Sequence, residues 1–143
     1  SYLVTNQAIM EAIEGEKMVH IIDLHSCEPA QWISLFQVLS AQPEGPPHLR
    51  ITGIHETKEV LDQMTMQLNK EAEKLDIPFQ FNPIVSKLDE LDVESLRVKT
   101  GEALIISSVL QLRSLLALDE GSTTNNTGMA YLQRVFRMKP RKL

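Results

Sequence analysis

Three histidines and the only cysteine of the chain could bind a metal ion or support nucleophilic chemistry: His20, His25, Cys27 and His55. A structural zinc site needs four ligands, usually in two close pairs. His25 and Cys27 make one such pair, but the sequence offers no clear second pair. A thiolate–imidazole couple would also need partners that converge in space. His20 lies inside an apolar segment and is predicted to be a hydrogen-bonded core residue. The spacing therefore predicts no metal site and no catalytic residue.

Two acidic residues could instead hold a small molecule. In parallel α/β sheets, ligands bind beyond the carboxyl ends of the strands, where Asp23 and Glu56 follow two apolar segments. Nucleotide and S-adenosylmethionine proteins place glycines in the first such turn, because glycine lets the backbone approach the ligand. Residues 23–29 contain no glycine, and Glu28 adds negative charge there. We predict no cofactor, with a small-molecule-binding or methyltransferase-like protein as the alternative.

The elements that must position these residues alternate along the chain. Short runs with apolar and β-branched residues predict strands, the first of them buried on both faces. Apolar residues at three- and four-residue spacing predict helices. The predicted strands are residues 18–24, 49–54, 79–85 and 103–107. The predicted helices are residues 3–14, 29–41, a third capped by Thr57 and continuing to Leu75, a short one near Asp92, and 110–118. Asp23 is predicted to cap and orient the helix at 29–41.

This alternation predicts an α/β fold with a parallel sheet and flanking helices. Four strands leave at least one edge of the sheet unfinished, since a complete doubly wound domain usually has five or more. We therefore expect an incomplete domain, cut from something longer. Its folded part is expected at residues 1–118, followed by a polar loop at 119–128 and a basic segment at 129–143.

The charge distribution argues against direct DNA binding by the main body. The whole chain has a formal net charge of −5, and residues 134–143 contain five basic and no acidic residues. The preceding residues therefore carry about −10, whereas affinity for nucleic acid depends on a basic surface. The basic end could be a nuclear-import or nucleic-acid patch, or a solvated terminus. One cysteine and no apolar run of about 20 residues indicate a soluble intracellular protein.

A leucine motif near the end of the chain could contact a partner protein. Leu112, Leu115 and Leu116 fit the LxxLL pattern, which on a helix places three leucines on one face, as in groove-binding helices. The same spacing also serves a helix that packs on a sheet. The three leucines are therefore candidate partner contacts, with a core role as the alternative.

Three segments, taken in order, resemble the GRAS family of plant transcriptional regulators. The first matches the VHIID signature and consists of Val19, His20, Ile21, Ile22 and Asp23. Gln31 and Trp32 follow it, and residues 45–54 then resemble the family's GPP-x-LRITGI segment. Residues 96–104 and 109–112 resemble the opening of its second leucine-rich region. The resemblance covers residues 3–118.

The resemblance implies a fold, a function and partners. It implies a Rossmann-like core related to methyltransferases, a nuclear location, and transcriptional co-regulation through protein partners in plant development and gibberellin signalling. Together with the acidic body and the glycine-free turn, the matched segments predict that the co-regulator is not an enzyme. The implied partners are other GRAS proteins, including DELLA-type members, and zinc-finger DNA-binding transcription factors. DNA would then be contacted only indirectly, through these factors. No membrane is expected as a partner. The family's leucine-rich regions correspond to residues 3–13 and 103–118 as candidate contact surfaces.

Two departures from the family pattern affect what can be expected. Many members carry a glycine between the VHIID aspartate and the Gln-Trp pair, and this chain has none, which weakens a ligand site further. The family's PFYRE and SAW regions have no counterpart in these 143 residues. Activities that depend on those regions are not expected from this segment.

Overall fold

The computed structural model describes residues 2–107, with side chains from Asn6 onward. The helices are α1 (Tyr2–Ala12), α2 (Pro29–Ser40) and α3 (Lys58–Lys74), and the strands are β1 (Met18–Asp23), β2 (His48–His55), β3 (Phe79–Val85) and β4 (Ala103–Ser107). The predicted helix at 110–118, the LxxLL leucines, the polar loop and the basic segment lie outside the described residues.

The four described strands form one parallel sheet in the order β3-β2-β1-β4. The predicted α/β class with a parallel sheet is therefore confirmed. The chain moves outward from β1 to β3 and then returns to the other side of β1, so the topological switch point lies between β1 and β4. In sheets of this kind the crevice at the switch point opens at the carboxyl ends of the strands.

Alternate residues of the strands face two different layers. Val19 and Ile21 face the larger core with the buried sides of α2 and α3, which include Trp32, Leu35 and Leu68. The other face carries a smaller cluster of Ile22, Leu24, Ile54 and Leu96, packed with residues between 84 and 106. Burial on both faces explains why β1 is apolar almost throughout.

The helices follow from amphipathic spacing and local end signals. Pro29 opens α2, where its missing N–H and fixed φ are tolerated. In α3, Leu61, Met64 and Leu68 form the buried stripe. Thr57 occupies the N-cap of α3 as predicted, but its side chain makes no capping hydrogen bond. Its backbone N–H instead donates to Nδ1 of His55 at 3.0 Å.

The segment between β3 and β4 differs from its prediction. In place of one short helix it forms two 3-10 turns, Leu88–Glu90 and Val93–Leu96. Asp92 caps the second turn by accepting the Glu94 N–H at 3.1 Å. Leu91 between the turns has an extended backbone. The segment brings Leu96 into the smaller core cluster.

Candidate functional site

The turn after β1 lies at the carboxyl edge of the sheet and is fixed to both neighbouring strands. The Leu24 N–H donates to the Ser107 carbonyl at 2.9 Å, and the Ser26 N–H donates to the Ile54 carbonyl at 2.9 Å. The first bond continues the pairing of β1 with β4, and the second attaches the turn to the end of β2. Side chains on this turn therefore have defined neighbours on β2.

Asp23 points into the protein from the end of β1. Its side chain accepts a hydrogen bond from the Trp32 indole at 2.8 Å, and the two residues are only 7% and 0% exposed. Burial raises the pKa of Asp23, although the indole hydrogen bond works against that rise. The N-cap of α2 is Glu28, so the prediction that Asp23 caps this helix is wrong. Asp23 orients α2 through Trp32 instead.

Gly53 is required where the turn after β1 crosses β2. A Cβ at this position would collide with the Ser26 hydroxyl and would lie 2.5 Å from Cζ of Phe81. Real Cβ atoms essentially never come within 3.0 Å of a heavy atom in this way. The glycine of the LRITGI segment is therefore explained by the close approach of the first turn and of Phe81 on β3.

Two residues at this edge oppose the binding of S-adenosylmethionine or a nucleotide. The carboxylate that would meet such a ligand, that of Asp23, is buried and held by Trp32. Glu28 stands at the start of α2, where its charge would oppose a phosphate or carboxylate. Of the two candidate acids, only Glu56 is exposed, so only Glu56 could contact a ribose.

The structure brings His55 close to the pair formed by His25 and Cys27. Ligand atoms of His25, Cys27 and His55 all lie within 4.8 Å of one another. The rings of His25 and His55 have centroids 5.0 Å apart and are tilted by 39°. His25 is exposed, and the other two residues are partly exposed. The spacing had shown only the His25–Cys27 pair, and His55 at the end of β2 is a third candidate ligand.

Strand pairing explains why these residues meet. Asp23 on β1 pairs with Gly53 on β2, so His25 and His55 each lie two residues beyond a paired position. The proximity of the two histidines could have been predicted if the pairing of β1 with β2 had been known, but the sequence alone does not show that pairing. Burial lowers the pKa of His55, and nearby His25 lowers it further. Burial raises the pKa of Cys27, and the Asp23 charge adds to that rise.

His20 belongs to a separate polar cluster on the other side of β1. It is fully buried, and its Nε2 lies 2.7 Å from Oγ1 of Thr52, which confirms the predicted core histidine. Burial, followed by the positive charge of Arg50, lowers the pKa of His20 to about 4. Its Nδ1 is 3.7 Å from Glu102, too far for a hydrogen bond. At neutral pH, His20 is therefore a neutral, buried residue held close to Thr52.

Arg50 and Glu102 form the charged centre of the same cluster. Nη2 and Nε of Arg50 donate to the two carboxylate oxygens at 2.7 and 3.2 Å, and Nη2 also reaches the Arg97 carbonyl at 2.9 Å. Burial alone would raise the pKa of Glu102, but the Arg50 hydrogen bonds and charge outweigh it and hold the pKa below its usual value. The three segments that resemble one family thus meet physically through His20, Arg50 and Glu102.

A match to a protein family covers the whole chain, residues 1–143, and that family is described as the GRAS domain family. The chain belongs to the GRAS domain family. Curated relatives include Scarecrow-like protein 3 of Arabidopsis thaliana, 61% identical over 96% of this chain and 30% of that protein. GRAS family protein TF80 of Medicago truncatula is 56% identical over 99% of this chain and 32% of its own length.

A solved structure supports the fold of this GRAS chain. The crystal structure of SCL7 in Oryza sativa has a TM-score of 0.75 to it, with 29% identity, and the match covers 94% of this chain and 38% of the other. The Rossmann-like fold implied by the resemblance is thereby confirmed. The chain spans about a third of the length of the first curated relatives it matches.

The burial of the first helix limits where this GRAS chain could contact a partner protein. Ile9 and Ile13, in the leucine-rich segment at 3–13, are buried in the core, so these side chains are not free to bind a partner.

Within residues 2–107, no helix combines the length and apolar character needed to cross a membrane.

Proposed function

We propose that the protein is a non-enzymatic transcriptional co-regulator that acts in the nucleus through protein–protein contacts. Membership of the GRAS domain family supports this proposal. The observation that carries it is the inward orientation of Asp23. The residue that would present a ligand in a Rossmann-like enzyme is here a buried hydrogen-bond acceptor for Trp32. At the carboxyl end of β1, where related folds bind ligands, this chain therefore has a packing contact.

The biological setting we propose is plant development and gibberellin signalling. One relative, from Oryza sativa, is named Chitin-inducible gibberellin-responsive protein 2 and is 36% identical over 99% of this chain. Another, from Pisum sativum, is named Protein SCARECROW and is 41% identical over 94% of this chain. These names describe the relatives, and their similarity to this chain supports the same setting for it.

The charge of the chain supports indirect contact with DNA. Residues 1–133 carry about −10, a charge that repels the phosphate backbone. We therefore propose that zinc-finger DNA-binding factors provide the contact with DNA, and that other GRAS proteins, DELLA-type members among them, are further partners. Leu112, Leu115 and Leu116 are the candidate contact residues, because the LxxLL pattern is typical of segments that bind a partner groove.

A pull-down with the full-length protein tests this proposal. Zinc-finger factors and GRAS proteins, including a DELLA-type member, would be purified separately and mixed with the wild type and with Leu112→Ala/Leu115→Ala/Leu116→Ala. The wild type is expected to retain at least one partner from these classes. Leu118→Ala, a nearby leucine outside the pattern, is the matched control and is expected to bind as the wild type does.

Thermal unfolding of the same variants separates contact from packing. Lost binding with an unchanged Tm assigns the three leucines to the interface, whereas a lowered Tm assigns them to the core. Failure of the wild type to retain any partner from either class would overturn the proposed function.

A further inference from the structure

The group of His25, Cys27 and His55 lies beside the buried Asp23–Trp32 pair and has no part in the proposed partner contacts. Its three ligand atoms come from two segments of chain and lie within 4.8 Å of one another. Cys27 is the only cysteine of the chain, and two of its four histidines stand next to it. Two imidazoles and a thiol that converge at an accessible edge have the chemistry of a metal site.

The backbone holds the two segments together. The Ser26 N–H donates to the Ile54 carbonyl at 2.9 Å, which joins the residue between His25 and Cys27 to the residue before His55. The His55 carbonyl accepts the Ser86 N–H at 2.9 Å, so the end of β2 is fixed from the other side as well. The cluster thus rests on strand ends within a sheet, and this placement limits how far the ligands can separate.

We propose that His25, Cys27 and His55 bind a borderline-soft divalent cation, with Zn²⁺ as the preferred occupant and water completing the coordination. Thiolate and imidazole ligands favour Zn²⁺ over Mg²⁺ or Ca²⁺, which prefer oxygen. Bonds of about 2.0–2.3 Å place ligand atoms of a tetrahedral site roughly 3.5 Å apart. Rotation of the exposed His25 side chain and of Cys27 can bring the observed group to that size.

The hydrogen bond of His55 determines how it can act as a ligand. Its Nδ1 accepts the Thr57 N–H at 3.0 Å, which places the proton of the neutral ring on Nε2. Metal binding must therefore break the Thr57 bond by either route. Coordination through Nδ1 replaces it directly, and coordination through Nε2 moves the ring proton to Nδ1, which can then no longer accept the Thr57 N–H. Cys27 must also release its thiol proton. With three protein ligands and these two adjustments, the site is expected to be weaker than a closed structural zinc site.

Calorimetric titration of the reduced full-length protein with ZnCl₂ tests the proposal. The wild type is expected to bind one equivalent more than Cys27→Ser or His55→Gln, or to bind it at least about tenfold more tightly. Loss of a residue that only orients a metal ligand already costs roughly 10- to 100-fold in affinity, so loss of a ligand itself should cost at least as much. His48→Gln is the matched control, because His48 is an exposed histidine at the opposite end of β2. Equal stoichiometry and affinity in the wild type, Cys27→Ser and His55→Gln would overturn the proposal.

A spectroscopic readout of the wild type needs no folded variant. Co²⁺ is a probe for zinc sites, and its coordination by Cys27 is expected to give a thiolate-to-metal charge-transfer band in the near ultraviolet. Addition of Zn²⁺ should remove the band by displacement. Absence of the band in the reduced wild type at saturating Co²⁺ would overturn the assignment of Cys27 as a ligand.

Discussion

The Trp32 indole donates a 2.8 Å hydrogen bond to the Asp23 carboxylate, and this bond joins the end of β1 to the first turn of α2. Both residues are buried, so the indole N–H has no access to bulk water if its acceptor is removed. The last residue of the VHIID segment and the tryptophan of the Gln-Trp pair are thereby one structural unit.

Replacement of Asp23 is expected to reveal this role. Asp23→Ala leaves the buried indole N–H without an acceptor and should lower the free energy of unfolding by about 1–3 kcal/mol. Asp23→Asn retains an oxygen acceptor without the buried charge, and its unfolding free energy should stay within about 1 kcal/mol of the wild type. Urea unfolding followed by Trp32 fluorescence measures both. Equal losses in the two variants would contradict a hydrogen-bonding role.

Gly53→Ala is expected to destabilise the sheet by overpacking. The added methyl group meets the Ser26 hydroxyl and the Phe81 ring, and such collisions in a packed core typically cost about 1–3 kcal/mol. Phe81→Leu removes the ring atoms concerned, so the double variant should lose less than the sum of the two single losses. A double-mutant cycle of unfolding free energies measures this coupling. Strict additivity would show that Phe81 is not the limiting contact.

Removal of one partner of the Arg50–Glu102 pair should lower the unfolding free energy far more than replacement of both partners by apolar residues. The two side chains are only 9% and 8% exposed, so removal of one partner leaves a nearly buried charge without its counter-ion. Glu102→Leu is expected to lose about 3 kcal/mol of unfolding free energy. Arg50→Met/Glu102→Leu should recover much of that loss. The exposed Lys58–Asp62 pair provides the control, and Asp62→Leu should change stability by less than about 1 kcal/mol.

His20 should make stability depend on pH in the mildly acidic range. Its pKa is about 4 in the folded chain and 6.5 in the unfolded one, so the unfolded state binds more protons between these values. The contribution of neutral His20 is fully present above about pH 6.5 and is lost as the pH falls towards 4. His20→Gln cannot titrate and should show a shallower decline between pH 7 and pH 4.5. Burial also lowers the pKa of His55, so the difference between His20→Gln and the wild type is the relevant measurement.

Local patterns predicted the strands well because each strand depends on short-range signals. The boundaries predicted for β3 and β4 agree with the structure, and β1 and β2 differ by one residue at their ends. β1 and β2 are buried on both faces and must be apolar. A Gly or Pro lies within three residues before each of the four strands: Gly15, Pro47, Pro78 and Gly101. The 3-10 turns around Asp92 were less predictable, since a charged segment with few apolar residues carries little periodic signal.

The candidate site was harder to predict because its contacts depend on strand order. The approach of His55 to Cys27 follows from β1 and β2 being neighbours in register, a fact that no local pattern contains. The Asp23–Trp32 bond likewise spans nine residues and a turn, whereas capping rules consider only the residues next to the helix start. The residue types indicated which chemistry was possible, and the strand order of the sheet determined which of these residues lie close enough to act together.

The last prediction separates a co-regulator from an S-adenosylmethionine-dependent enzyme. Calorimetric titration of the full-length protein with S-adenosylmethionine is expected to give no micromolar binding, because Asp23 is turned onto Trp32 and the first turn has no glycine. Micromolar binding lost in both Asp23→Asn and Glu56→Gln would reverse this conclusion. Glu59→Gln is the matched control, since Glu59 is an exposed acid in the first turn of α3. Only binding that depends on the two strand-end acids, and not on Glu59, would place a ligand in the crevice of this sheet.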